Sequence, residues 1–294
     1  MRAWLSLAAL AAVVAGLALW VHNKPAPGRS NTYALSALEA KNVSRIRVER
    51  TLPGGAESAG QSALTVVLEK HGADWRMTAP IAARAEAFQV ERLLAIVGAR
   101  STVRYAASER SRYGLDAPVA VLTLNDQAFT FGAINKTTAE QYVATGNDVY
   151  LVPLAIGASL PRNTDVLLAR KLFAANEAPS RFDLPGFTVA LEEGTWAVAP
   201  APPDLSADDR NAWVDAWRQA TAISASRNAG PTAAQAEVDV QLKDGRAIAM
   251  HILQREPELV LLRTDEGVEY RFLADVARRM LSPPGASRGE RVNK

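Results

Sequence analysis

The sequence contains no cysteine, which excludes disulfide bonds, cysteine-ligated zinc or iron–sulfur centres and thiol nucleophiles. It contains only three histidines, His22, His71 and His251, so general bases and imidazole metal ligands are scarce. A hydrolase would need His71 or His251 beside a carboxylate and a hydroxyl, and the residue spacing shows no such partners. The sequence therefore predicts no catalytic residue, no metal ligand and no cofactor, and it favours a non-enzymatic protein.

The central part of the chain, residues 30–281, also lacks a net positive charge. The formal net charge is +2, but three basic residues lie in residues 1–29, and three basic residues and one acidic residue lie in residues 282–294. Residues 30–281 then carry 27 basic and 30 acidic residues, a net charge of −3. Because nucleic-acid affinity depends on neutralising phosphates, this charge makes a nucleic-acid partner unlikely.

One long uncharged run stands at the N-terminus. Ala3 to Val21 holds 19 residues without a charge, with Trp4 and Trp20 at its two ends. As a helix it would span about 28 Å, enough to cross the hydrocarbon core of a bilayer. We expect an uncleaved anchor at 1–22 in the bacterial inner membrane, with the N-terminus inside and the bulk in the periplasm. A cleaved signal peptide is the alternative.

A short linker, 23–30, contains Pro25, Pro27 and Gly28 and separates this anchor from the body.

The sequence of the body consists of two copies of one unit. Thr65–Glu69 is echoed by Thr188–Glu192, and each segment precedes a turn, a tryptophan and an Ala-Pro pair. In both copies apolar residues then recur at helical spacing, and several alternating segments follow.

These patterns predict an α+β fold with an N-terminal transmembrane helix and two tandem homologous units, each of antiparallel strands with one main helix. The first unit is expected at 31–161 and the second at 162–281. A disordered basic tail is expected at 282–294.

The body from about residue 31 to 281, most clearly over 65–172, resembles a bacterial envelope domain family catalogued as domain of unknown function 4340. The matching residues are Trp75 and Pro80, the segment Tyr113, Gly114, Leu115, Asp116, Ala117 and Pro118, and the link from Asp165 to Leu172. Trp196 repeats the position of Trp75 in the second copy. The family often accompanies gliding-motility-type ABC transporter components. The resemblance implies an anchored, extracytoplasmic accessory protein without assigned catalytic residues.

The same residues also have a structural interpretation. Gly114 can adopt positive φ, Asp116 can bind nearby backbone, and Pro118 favours an extended entry to the next strand. Ser206 followed by Asp209 predicts a capping box at a helix start.

Trp213 and Trp217, four residues apart, fall on one face of the second predicted helix. They are expected to be buried, and a partner surface is the alternative.

The preferred functional hypothesis is a membrane-anchored periplasmic accessory or scaffold protein of an envelope assembly, with an ABC-type transporter or another envelope protein as partner. The alternative is a periplasmic glycan- or peptide-binding module that uses a cleft between the two copies. An envelope hydrolase is a third possibility.

Overall fold

The computed structural model describes residues 32–51, 63–230 and 233–286. Strands account for 44% of these residues and helices for 20%. All strand pairs are antiparallel, and they form one two-stranded, one nine-stranded and one eight-stranded sheet.

The first half of the chain forms the nine-stranded sheet and the two-stranded sheet. In chain order its elements are β1 Tyr33–Ala34, β2 Arg45–Thr51, β3 Ala63–His71, β4 Asp74–Ala79, β5 Ala83–Arg84, α1 Ala87–Leu94, β6 Arg100–Ser101, β7 Arg104–Ala106, β8 Ala120–Leu124, β9 Gln127–Asn135, β10 Glu140–Thr145, β11 Asp148–Pro153 and α2 Leu154–Ala158. The strand order of the large sheet is β5-β4-β3-β2-β8-β9-β10-β11-β7, and β1 pairs with β6.

The second half forms the eight-stranded sheet. Its elements are β12 Pro179–Leu184, β13 Phe187–Glu192, β14 Thr195–Ala199, α3 Ala207–Arg218, β15 Ser224–Arg227, β16 Ala236–Leu242, β17 Ala247–Gln254, β18 Leu259–Arg263, β19 Val268–Phe272 and α4 Ala274–Leu281. The strand order is β14-β13-β12-β16-β17-β18-β19-β15. Apart from β5, the nine-stranded sheet has the same topology as the eight-stranded sheet: its order β4-β3-β2-β8-β9-β10-β11-β7 matches that of the second sheet strand for strand.

Alternating side chains set the buried face of each sheet. In β2, Ile46 and Val48 are buried while Arg45 and Arg47 are exposed, and in β16 Val238, Val240 and Leu242 are buried between exposed polar residues. Because side chains of a strand point alternately to opposite faces, one face of each sheet is apolar.

The helices cover the apolar faces. Helix α1 buries Val90 and Leu93, and α3 buries Trp213, Val214 and Trp217. The buried side chains of both halves form one continuous apolar cluster, which runs from Leu35 to Met280. The two large sheets therefore share a core.

The predicted fold class, α+β with one main helix in each of two units, is wrong. The described chain is mainly antiparallel β-sheet, and its principal helices α1 and α3 have only 8 and 12 residues. Residues that the sequence interpretation treated as connections add the edge strands β7 and β15 and the pair β1–β6. Strands of two to four residues are too short to show a clear alternation, so pattern analysis misses them.

Several predicted segments lie outside the described residues. These are the anchor at 1–22 with its run from Ala3 to Val21, the linker at 23–30, and the tail beyond residue 286. Among the helices of the described residues, none combines the length and the hydrophobicity that crossing a bilayer requires. The predicted boundaries at 161/162 and 281/282 stay predictions.

Candidate functional site

The segment that connects the two halves, residues 168–172, lies between them as an extended chain. On one side, the Ala169 N–H donates to the Arg84 carbonyl at 3.0 Å, and Leu168 forms a β-bridge with Ala85. On the other side, the Leu172 N–H donates to the Ala220 carbonyl at 3.1 Å. This backbone pairing holds strand β5 of the first half against the second half.

Arg84 crosses the junction and is the central cation of a buried polar cluster, which we call the junction network. Its Nε donates to Glu266 Oε1 at 2.7 Å, and its Nη2 donates to the Tyr270 hydroxyl at 2.9 Å and to the Leu172 carbonyl at 3.1 Å. The Tyr270 hydroxyl in turn donates to Glu266 Oε2 at 2.9 Å. The hydrogen bonds of Arg84 therefore join the first half to the second half and to the connecting segment.

A second arginine, Arg263, completes the junction network. It donates through Nη2 to Glu177 Oε1 at 2.6 Å, through Nη1 to Glu177 Oε2 at 2.8 Å, and to the Leu172 carbonyl at 2.8 Å. Arg263 is 1% exposed and Glu177 is 8% exposed. Two buried arginines thus face two buried glutamates, and both arginines bind the same carbonyl.

The electrostatics of the junction network favour its charged form. Burial by itself would raise the pKa of Glu177, but hydrogen bonds from Arg263 and from the Ala174 N–H, with the positive charge of Arg263, lower that pKa to about 2. Burial raises the pKa of Tyr270, which keeps its phenol protonated and able to donate to Glu266. At neutral pH Glu177 is therefore ionised and Tyr270 is neutral.

An open cleft of about 670 Å³, the junction cleft, lies beside this network. Both halves and the connecting segment line it. The lining residues are His71, Asp74, Trp75, Arg76, Arg84, Ala85, Glu86, Ala87, Ala169, Lys171, Phe173, Ala174, Ala175, Asn176, Glu177, Asp215, Arg218, Gln219 and Arg246. A volume of this size is within the range of sites that bind small molecules or short peptides.

The predicted motif residues are divided between this cleft and other places. Trp75, half-buried on β4, lines the junction cleft, and Pro80 follows it at the exposed end of that strand. Trp196 holds the matching position on β14 and packs on Phe182, with ring centroids 6.1 Å apart. The two tryptophans therefore hold similar strand positions, but only Trp75 lines the cleft.

The turn from Tyr113 to Pro118 packs against the first sheet. Gly114 has φ of +68°, and a side chain at Gly132 of β9 would lie 2.2 Å from the Tyr113 carbonyl oxygen. Tyr113 and Leu115 are buried in a small cluster with neighbouring strands, while Asp116 is exposed. These contacts give the turn a structural role and place it outside the junction cleft.

Trp213 and Trp217, considered as a possible partner surface, are buried instead. Trp217 is 0% exposed and Trp213 is 5% exposed. Their indole N–H groups donate to the carbonyls of Met280 and Ser282 at 2.9 and 2.8 Å. They hold α3 to the end of α4, so this face is not available to a partner.

Among the described residues, the side chains of His71 and His251 make no hydrogen bond. His71 lies at the end of β3 and lines the junction cleft. His251 lies on β17, with Nε2 3.7 Å from the exposed carboxylate of Glu237. In the described residues, no group of three acidic or histidine side chains is arranged to hold a metal ion.

Sequence analysis missed the junction network and most of the cleft. Arg84 and Glu266 are 182 residues apart, so no spacing rule connects them. One signal was present: Arg263 occupies an inward position in the otherwise apolar strand β18. A charged residue at such a position indicates a buried partner.

Comparison with known protein families assigns the chain to a family without an assigned function. The model of a family described as a domain of unknown function, DUF4340, matches residues 75–238. The match covers more than half of the chain, so the chain belongs to this family, and the predicted membership of this domain of unknown function is confirmed. No curated protein matches the chain, and no solved structure does.

Proposed function

We propose that the protein is a non-catalytic accessory protein of a bacterial envelope assembly, and that it binds its partner in the junction cleft. The observation that carries the proposal is the cleft itself, about 670 Å³ in volume and lined by both halves and the connecting segment. Residues from three parts of the chain meet there, which is typical of ligand sites at interfaces between structural units.

The junction network supports a preformed site. Both Arg84 and Glu177 line the cleft; hydrogen bonds across the junction hold Arg84, and hydrogen bonds from Arg263 hold Glu177 within the second half. A cleft whose walls are fixed in this way requires little ordering when a ligand binds, which favours affinity. The buried charges are used in pairing with one another, which favours a binding role over acid–base chemistry.

The proposed location is the periplasmic side of the inner membrane. Its support is the sequence alone: the uncharged run from Ala3 to Val21 has the length and composition of a membrane anchor. The family resemblance further suggests an ABC-type transporter, of the kind linked to gliding motility, as the partner assembly. Copurification of an ATPase and a permease with the tagged protein would test this part.

A periplasmic glycan- or peptide-binding module is the second candidate. The specific observation in its favour is Trp75, whose half-buried ring lines the cleft among polar side chains. An aromatic ring beside hydrogen-bonding groups suits either ligand. A thermal shift with cell-wall fragments or oligosaccharides, in the absence of any protein partner, would favour this candidate.

Site-specific photo-crosslinking in intact cells tests the cleft as the partner site. A photoreactive amino acid at Asn176, exposed in the cleft, is compared with one at Lys136, exposed on the β9–β10 turn of the first sheet. We expect a discrete protein adduct from position 176 that is absent from position 136 and weakened by Trp75→Ala. Equal labelling at the two positions, or none at 176, would refute the proposal.

A further inference from the structure

Two arginines face each other across neighbouring strands at the wall of the junction cleft. Arg76 of β4 is paired directly with Arg84 of β5. Like charges directly opposite on antiparallel strands destabilise a sheet unless another group compensates them. The Glu266 carboxylate pairs with Nε of Arg84. The side chain of Arg76, by contrast, has no hydrogen-bond or ion-pair partner among the described residues.

Arg84 also has one donor nitrogen left over. Its Nε and Nη2 make the hydrogen bonds of the junction network, whereas Nη1 is 3.8 Å from Glu177 Oε2 and makes no hydrogen bond among the described residues. In that part of the chain, every fully buried side-chain nitrogen or oxygen has a hydrogen-bond partner. Nη1 therefore keeps contact with solvent, on a residue that lines the cleft.

A third cation lies on the connecting segment. Lys171 is exposed, lines the cleft and has no ion-pair partner among the described residues. Two of the acids that line the cleft are paired: Asp215 lies 3.7 Å from Arg218, and Glu177 binds Arg263. Arg84 is partly neutralised by Glu266 and by Glu177, the latter 3.8 Å from Nη1, whereas Arg76 and Lys171 have no acidic partner among the described residues.

We propose that Arg76, Nη1 of Arg84 and Lys171 form a subsite for a carboxylate carried by a peptide ligand. The inference rests on the proposed function and names the ligand chemistry of the same cleft. A guanidinium presents N–H donors in a plane that matches a carboxylate, and such charged hydrogen bonds are stronger than neutral ones.

Two further acids in the cleft supply hydrogen-bond acceptors for the amides of a peptide ligand. Asp74 has no side-chain partner among the described residues, and Glu86 accepts only the Arg170 backbone N–H, at 3.2 Å. Both carboxylates can accept N–H groups, which a peptide supplies along its backbone and a uronic acid does not. The cleft thus offers cations for a carboxylate and acceptors for amides.

The test uses a matched pair of small probes on the full chain in detergent. The six tryptophans are labelled with 5-fluorotryptophan, and the Trp75 signal is assigned with Trp75→Phe. N-acetyl-glutamate α-amide is titrated against N-acetyl-glutamine α-amide, which has the same shape without the charge. We expect a saturable shift of the Trp75 signal with the glutamate probe only, weakened by added salt.

Variants separate the subsite from general charge. Arg76→Gln should weaken binding of the glutamate probe by about tenfold, because a charge-assisted hydrogen bond is lost. Arg162→Gln removes the same charge from an exposed position that does not line the cleft, and it should change the affinity by less than about twofold. Arg76 is outside the junction network, so its replacement leaves the buried hydrogen bonds intact.

Equal shifts with the two probes, or an unchanged affinity in Arg76→Gln, would overturn the carboxylate subsite. Binding of galacturonate in place of the glutamate probe would overturn the peptide assignment. A positive crosslink from Asn176 together with a negative titration rejects the subsite alone, whereas loss of that crosslink rejects the cleft as the partner site.

Discussion

Replacing Glu177 by glutamine should destabilise the protein by about 3 kcal/mol at neutral pH. The carboxylate is 8% exposed and accepts two hydrogen bonds from Arg263 and one from the Ala174 N–H. Glutamine keeps one acceptor oxygen but places an N–H₂ group where the second oxygen faces the guanidinium. Arg263 would then keep Asp265, whose Oδ1 accepts from Nε at 2.9 Å, but would lose the buried carboxylate that binds Nη1 and Nη2.

The magnitude follows from the pKa of Glu177. Lowering it from 4.5 to about 2 corresponds to about 3 kcal/mol in favour of the charged carboxylate, at about 1.4 kcal/mol per pKa unit. Removal of one partner from a buried ion pair is expected to cost a similar amount, about 3–5 kcal/mol.

The pH dependence has a defined sign. Because the folded-state pKa of Glu177 lies below its unfolded value, the stabilisation is complete above about pH 4.5 and is lost as the pH falls toward 2. The Glu177→Gln variant lacks this contribution. Its stability should therefore fall less steeply than that of the wild type between pH 4.5 and 2.

Urea unfolding followed by circular dichroism measures both effects. Glu91→Gln is the matched control, because Glu91 is exposed on α1 and its side chain makes no ion pair or hydrogen bond among the described residues. The control should change the free energy of unfolding by less than about 0.5 kcal/mol. A loss below about 1 kcal/mol for Glu177→Gln, or parallel pH profiles for variant and wild type, would refute the reasoning.

Three further predictions concern packing and capping, and all are read from thermal and urea unfolding. Trp217→Ala should cost about 3–5 kcal/mol, because the side chain is fully buried; a loss under about 1 kcal/mol would contradict that burial. Gly132→Ala should cost about 1–3 kcal/mol, because its Cβ would lie 2.2 Å from the Tyr113 carbonyl oxygen, whereas Gly98→Ala has open space and should cost less. Ser206→Ala should cost about 1 kcal/mol through loss of the helix cap, and an unchanged stability would argue against the capping box.

Local features were predictable where the physical cause is local. The capping box of Ser206 and Asp209 is confirmed, with the Asp209 N–H donating to the Ser206 hydroxyl at 3.1 Å, because both groups lie within one helical turn. The helical spacing of Trp213 and Trp217 likewise placed both on one face of α3. Such features depend on three or four residues of chain and need no knowledge of the rest of the fold.

The fold class was harder to predict because strand pairing is not local. Alternation identified the strands β8 and β16, whose apolar residues recur at every second position. It did not identify β5 or β7, which have only two and three residues and exist because a neighbouring strand pairs with them. The weight of sheet in the structure was therefore underestimated.

Four properties thus follow from the amino-acid sequence alone. It excludes thiol chemistry, it gives the body a net negative charge, its alternation predicts the longer strands, and its motifs reveal the family resemblance. The junction cleft has no such local origin. Arg76 and Arg84 lie side by side in the cleft only because β5 pairs with β4. Arg84 is held in place by Glu266, which is 182 residues away in the sequence. A side chain buried by packing between two halves acquires its partners only when the halves meet, and the candidate site is made of such residues.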